Sequence, residues 1–211
     1  MLKTVDIFHN YDQQSKFKFP DISIEAGEAC LILGKSGVGK TTLLHIMAGI
    51  LKPSKGQVFI DGTDICSLKG TKLDAFRGRH IGLVFQNAHF INSISARENI
   101  QLAQRISGGR ASNGEIDTFF ERLGIADRSA ALPSQLSAGE KQRLAIIRAF
   151  ISSPKIVLAD ELTSALDDEN CEEVITLLKE QIERYGTSLA MVTHDTRLKS
   201  YFDKSIIISS D

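Results

Sequence analysis

The sequence predicts an α/β fold with a mostly parallel sheet, an antiparallel β subdomain and a helical subdomain inserted over about residues 87–150. Three observations carry this reading. Short apolar runs at residues 29–33, 156–159 and 188–192 alternate with segments of helical periodicity, the pattern of parallel strands joined by helices. The glycine-rich stretch GKSGVGKT, residues 34–41, lies between such a strand and such a helix. Residues 87–150 hold helix signals and no strand signals. The 211 residues suffice for one substantial domain over the whole chain.

The first part reads as short strands. Ile22 and Ile24 alternate with polar neighbours, and Ala26-Gly27-Glu28 turns the chain into the apolar run that starts at Ala29. A helix is expected from Lys40, with Leu43, Leu44 and Met47 on its apolar face and Pro53 beyond its end. Val58-Phe59-Ile60 then meets Asp61-Gly62, a hairpin signal. Residues 81–85 read as another strand.

Ser95 and Glu98 have capping-box spacing at the head of a helix. Residues 107–114 (SGGRASNG) read as a loop, 115–123 as a helix and 137–150 as another, broken by Ser152-Ser153-Pro154. Val174, Leu177, Leu178 and Ile182 share one face of a later helix. Its wet side offers the pairs Lys179–Glu183 and Glu180–Arg184. Residues 206–208 form a last strand, and no further regulatory domain is expected after them.

Bulk properties exclude several classes. The net charge is -1, so no general attraction to nucleic acid is expected. The longest apolar runs are too short to span a bilayer, and no charged-then-apolar leader opens the chain. Cys30, Cys66 and Cys171 are few, odd in number and scattered. They read as buried thiols in a reducing compartment, with neither a zinc site nor a disulfide framework.

Gly34-Lys35-Ser36-Gly37-Val38-Gly39-Lys40-Thr41 fits G-x-x-x-x-G-K-[ST], with the required strand before and helix after. Its glycines allow close approach of a phosphate, and its N–H groups and helix N-terminus present positive charge to it. Lys40 is placed to reach the β- and γ-phosphates, and the Thr41 hydroxyl to bind Mg²⁺. This predicts a P-loop NTPase core. A second metal anchor is expected after a buried strand, and KIVLADE (residues 155–161) supplies it. Asp160 would hold Mg²⁺, and Glu161 would polarise the attacking water. No Asn-Lys-x-Asp base-reading segment occurs, which favours ATP over GTP.

The stretch LSAGEKQ, residues 136–142, is at first sight a helix start. Ser137 stands three residues before Glu140, a capping box. The same geometry presents a hydroxyl and N–H groups at a positive helix end, a second anion site. Since the γ-phosphate already has its own loop, this helix end could face a nucleotide on another subunit.

Taken in order, residues 34–41, Gln86, LSAGE, Asp160-Glu161, SALD at residues 164–167 and His194 resemble the ATP-binding-cassette ATPases over nearly the whole chain. LSAGE is similar to that family's LSGGQ signature. The resemblance implies ATP hydrolysis, with ATP and Mg²⁺, by a head-to-tail pair of subunits, identical or different. Each signature, here Ser137, Ala138, Gly139 and Glu140, closes on the other chain's ATP. It implies that Tyr11 stacks on adenine, with Phe8 and Phe17 as competitors, and that Thr42 touches the α-phosphate. Gln86 would contact Mg²⁺ and the water and sense a membrane partner. SALD would cross the dimer interface and His194 would contact the γ-phosphate.

Two residues depart from the family pattern: Ala138 replaces the first signature glycine, and Leu162 replaces the proline after the catalytic glutamate. Ala138 is harmless if its φ is negative. Glu140, the run LSAGEKQRLAIIRAF and the compact length resemble the branch of lipoprotein-release, macrolide-export and cell-division ATPases. The expected function is the ATPase subunit of a transporter, lying on the cytoplasmic face of the membrane against a separate integral membrane subunit. Phe90 and Ile91 are either a dock for a short helix of that subunit or core residues. Two other readings compete: a soluble cassette ATPase acting on ribosomes or DNA, and a P-loop kinase or nucleotide sensor. The stretch between Gln86 and Leu136 is too short for the coiled-coil insertion common in the former.

Overall fold

The computed structural model describes residues 1–11, 16–109, 112–163 and 168–209. Two five-stranded sheets form its frame. The first begins with β1 (Leu2–Asn10), β2 (Lys16–Lys18) and β3 (Ser23–Ile24). Next come β4 (Ala29–Gly34), α1 (Lys40–Met47), and the hairpin of β5 (Lys55–Ile60) and β6 (Thr63–Asp64). Strands β2, β1, β5 and β6 lie in that order, β3 pairs with β1, and every pairing is antiparallel. The opening strand is nine residues long rather than short. A bulge between Val5 and Phe8 breaks its register. There Gly56 is required: a Cβ on it would lie 2.5 Å from the carbonyl oxygens of Val5 and Asp6. The Asp61-Gly62 turn has φ of 50° and 78°, the doubly positive geometry of a tight hairpin.

Helix α2 (Thr71–His80) has no fully buried residue, so its sequence carries no apolar stripe and gives no periodic signal. It leads into β7 (Ile81–Val84). The helical block follows as α3 (Ala96–Ser107), α4 (Asn113–Arg122) and α5 (Ala138–Phe150). Each begins at a serine capping box: Ser95 with Glu98, Ser112 with Glu115, and Ser137 with Glu140. The stretch read as a loop to residue 114 therefore already contains the start of α4. Strand β8 (Ile156–Asp160), α6 (Asp168–Tyr185), β9 (Ser188–Thr193) and β10 (Lys204–Ile208) complete the chain. On α6 the expected ion pairs do not form: Lys179 lies 6.0 Å from the Tyr201 ring centre and Arg184 5.6 Å from that of Tyr185.

The second sheet runs β10-β4-β9-β8-β7, all parallel. Alternate strand residues face opposite sides. Leu31, Leu33, Val157 and Met191 join a core with residues of α3 to α6, whereas Cys30, Ile32, Leu158 and Val192 join one with α1 and the antiparallel sheet. The helical insert thus shares a continuous apolar core with one face of the parallel sheet. Because all five strands point the same way, the loops after β4, β7, β8 and β9 emerge on one edge.

Candidate functional site

At that edge lies a cleft of about 1200 Å³, lined by residues 33–42, Gln86, Glu161 and His194. Each of these lies at or just after the end of β4, β7, β8 or β9. The loop after β4 needs its glycines at one point above all. Gly39 has a φ of 90°, and a Cβ there would sit 2.7 Å from the Phe17 ring. An aromatic group from the antiparallel sheet, Phe17 stacked on Phe19, therefore backs the loop.

Lys40 is buried, and its Nζ donates to the carbonyls of Gly34 at 2.9 Å and Lys35 at 3.0 Å. The ammonium is 3.7 Å from Glu161 Oε1. Glu161 stands just past β8 with φ of 49°, a strained backbone for a residue with a side chain. Thr193 Oγ1 donates to its Oε2 at 3.0 Å, and His194 Nδ1 lies 2.9 Å from its Oε1. Thr193 is a site residue that sequence reasoning did not single out, although it adjoins His194. Burial pushes the Asp160 carboxyl above its ordinary range, while a hydrogen bond with Thr41 pulls the other way. Its Oδ1 is buried and has no hydrogen-bond partner.

The cleft therefore combines a lysine in a glycine-rich loop with a carboxylate held by a hydroxyl and an imidazole, and it is adjoined by Asp160, whose orphaned buried oxygen lies on a carboxylate hydrogen-bonded to Thr41. Such an orphan is costly unless a ligand satisfies it. Thr41 and Asp160 suit a hard divalent cation that takes oxygen donors and phosphate together. Tyr11 is exposed and does not line the cleft, but its hydroxyl is 3.2 Å from Thr42 Oγ1. Its rival Phe17 does line the cleft.

Ser137, Ala138, Gly139 and Glu140 are not among the residues lining the cleft. The polar side chains of Ser137 and Glu140 are satisfied locally. Ser137 N–H donates to Glu140 Oε2 at 2.7 Å, and Arg128 Nε donates to Glu140 Oε1 at 2.7 Å. The backbone hydrogen bond from Ser137, followed by the one from Arg128, holds the Glu140 carboxyl below the ordinary range. Ala138 has no positive φ, so its methyl is accommodated. A Cβ on Gly139 would meet nothing within 4 Å. Leu162, in place of proline, is buried in the core, and its carbonyl accepts a hydrogen bond from the Gln142 side chain. The SALD segment, residues 164–167, lies outside the described residues.

The family profile described as ABC transporter matches residues 17–164. The chain belongs to the ABC transporter family. Among relatives of this cassette, the lipoprotein-releasing system ATP-binding protein LolD of Idiomarina loihiensis is 37% identical over 201 residues, covering 94% of this chain and 88% of that one. The LolD protein of Bacteroides fragilis is 36% identical over 208 residues, covering 98% and 96%. Among solved structures, the dimeric post-hydrolysis state of the ATP-binding cassette MJ0796, bound to ADP and Pi, superposes with a TM-score of 0.87 at 32% identity. It covers 99% of this chain and 94% of its own. The cassette is an ATPase, and the β10-β4-β9-β8-β7 sheet with its phosphate loop is the P-loop NTPase core expected. No helix among the described residues is long and apolar enough to cross a membrane.

Proposed function

We propose that this cassette is the ATP-hydrolysing subunit of a transporter that releases or exports a lipid-linked protein through a separate membrane subunit, as the names of its LolD relatives suggest. It would sit on the cytoplasmic face of the membrane. One observation carries the two-chain part of this reading. The phosphate loop, Gln86, Glu161 and His194 converge in one cleft, whereas the signature turn is exposed, lies outside that cleft and leaves open space at Gly139. A second copy can fill that space with its nucleotide.

In this reading residues 34–41 cradle the phosphates, with Lys40 leaving the loop carbonyls for the β- and γ-phosphates. Thr42 contacts the α-phosphate and Tyr11 stacks on adenine. Thr41, Asp160 and Gln86 would hold Mg²⁺, whose chemistry when bound would be to neutralise charge on the phosphates. Glu161 takes the proton of the attacking water. Thr193 and His194 orient that carboxylate, and His194 also reaches the γ-phosphate. Ser137 and the N–H groups from Ala138 to Glu140 close on the partner's γ-phosphate.

The membrane subunit would dock beside Gln86. A groove of about 310 Å³ opens there between α2, β7, α3 and α5. Ile91 and Ile106 are exposed nearby, while Phe90 is partly buried against the core.

A mixed dimer tests the shared site. Ser137→Arg and Lys40→Ala homodimers each lose hydrolysis. When each chain carries a different defect, both defects fall in one composite site and the other site is intact. Recovery of hydrolysis on mixing supports the reading. Loss of ATP binding by a folded Ser137→Arg monomer would place the signature in its own chain's pocket and overturn it.

A further inference from the structure

The docking groove contains a cation with no anion. Arg148, on the last turns of α5, lines it together with His89, Gly78, Gly82 and Ile106. Its guanidinium stacks over the Phe90 ring with Cζ 4.7 Å from the centroid. One N–H donates to the carbonyl of His89. A guanidinium has five N–H donors, and no carboxylate lies within ion-pair distance of this one among the described residues. Burial lowers its pKa, and no neighbouring charge opposes that. Other cations among the described residues do have an acid: buried Lys40 faces Glu161, and the partly exposed Arg143 and Lys204 pair with Glu173 and Glu28.

The floor beside Arg148 is kept open by two glycines. A Cβ on Gly82 would lie 2.4 Å from the Ala149 carbonyl oxygen, and one on Gly78 would lie 3.2 Å from Ser107 Cα. Gly82 cannot carry a side chain without backbone movement, and Gly78 has only a tight space for one. A partly buried guanidinium with spare donors in an open groove is complementary to a carboxylate, which it can take in two parallel hydrogen bonds.

We infer that Arg148 recognises an aspartate or glutamate on the segment of the membrane subunit that docks in this groove, and that this ion pair selects the partner. The inference rests on the docking reading above. It adds that the docked segment is acidic at one position, and that the cation reading it belongs to the same helix that begins with the signature. Binding there also touches the Arg148–His89 link between α5 and the segment following Gln86.

The test uses the full complex, with the membrane subunit co-expressed and assembly measured by co-purification in detergent. Arg148→Glu is expected to weaken assembly by roughly 30-fold or more, since it sets two acids against each other at the docked interface. An Asp/Glu→Arg replacement at one position in the membrane subunit's docking segment should restore it. Arg148→Gln keeps a donor for the His89 carbonyl but loses the charge, so it carries the test should Arg148→Glu fail to fold, as judged by thermal melting; it too should assemble poorly. Ile106→Asp, at a 74% exposed position in the same groove, separates the two claims. If Ile106→Asp blocks assembly but folded Arg148→Gln assembles normally, the groove is a dock and the acid pairing is wrong. If both assemble normally, the docking reading itself fails. Failure of every reverse-charge replacement to rescue Arg148→Glu would also overturn the inference.

Discussion

The phosphate cleft and the signature turn, both proposed above as anion sites at helix N-termini, are finished to different degrees. In the cleft, Lys40, Glu161, Thr193 and His194 already touch one another, and a buried oxygen of Asp160 waits without a partner. At the signature, Ser137 and Glu140 satisfy each other, and Gly139 adjoins empty space. The first region is organised by its own chain, with a strained Glu161 backbone stored in it. The second is a well-capped helix end that needs nothing from its own chain. A residue without a local reason to be glycine, on an exposed turn, points to something that must approach closely. Substitutions in the cleft should therefore alter the isolated chain, and those at the signature only the pair.

Glu161→Gln should break the cleft most. It keeps size and removes the base, so turnover should fall by ~10²–10⁴-fold while ATP binding survives. The ATP-bound pair should then accumulate, visible by size-exclusion chromatography; near-normal steady-state hydrolysis would contradict the role of Glu161. Lys40→Ala comes next. Loss of a charged donor to phosphate should weaken ATP binding by on the order of 10- to 100-fold in calorimetry of the single chain. Unchanged affinity would mean the loop does not hold phosphates through this lysine.

Asp160→Asn sharpens the contrast through pH. Burial raises the Asp160 pKa above its ordinary value of 3.8, so the folded state holds the proton more tightly than the unfolded one. The contribution of this group to stability is therefore full below the ordinary value and is lost as pH rises through the raised one. In nucleotide-free protein at neutral pH, Asp160→Asn should melt higher than wild type. The gap should close once the pH falls below 3.8. Magnesium dependence of ATP binding should weaken in the same variant. A melting gap that stays constant with pH would remove Asp160 as its source.

Gly139→Ala should have the smallest effect on the chain and still separate the two regions. Gly139 is helical, without positive φ, and its Cβ would meet open space. The variant should gain about 0.5 kcal/mol of unfolding free energy in a denaturant titration. Its ATP binding as a monomer should match wild type, while hydrolysis by the pair falls. Unimpaired hydrolysis would mean no phosphate comes close at that point.

Much of this was legible in the chain. The phosphate loop, the acid pair after an apolar strand and the capping boxes are local patterns, set by residues within one turn or one strand. So were β4, β8, β9 and the face of α6 with Val174, Leu177, Leu178 and Ile182, because buried elements must repeat apolar residues at their own period. Helix α2 was not legible, since it buries no residue fully. The length of β1 was hidden by its bulge, whose reason is Gly56 on another strand. The start of α4 at Ser112 was masked by surrounding loop-like residues.

The tertiary structure alone decided which distant residues meet. Nothing local places Thr193 against Glu161, leaves Asp160 with an orphaned oxygen, sets Phe17 against Gly39 or strands Arg148 in a groove without an acid. Sequence determined the family and the chemistry, because phosphate binding needs particular residue types at short, fixed spacings. Strand order and packing determined which charges are paired and which are spare, because burial and proximity depend on elements far apart in the chain.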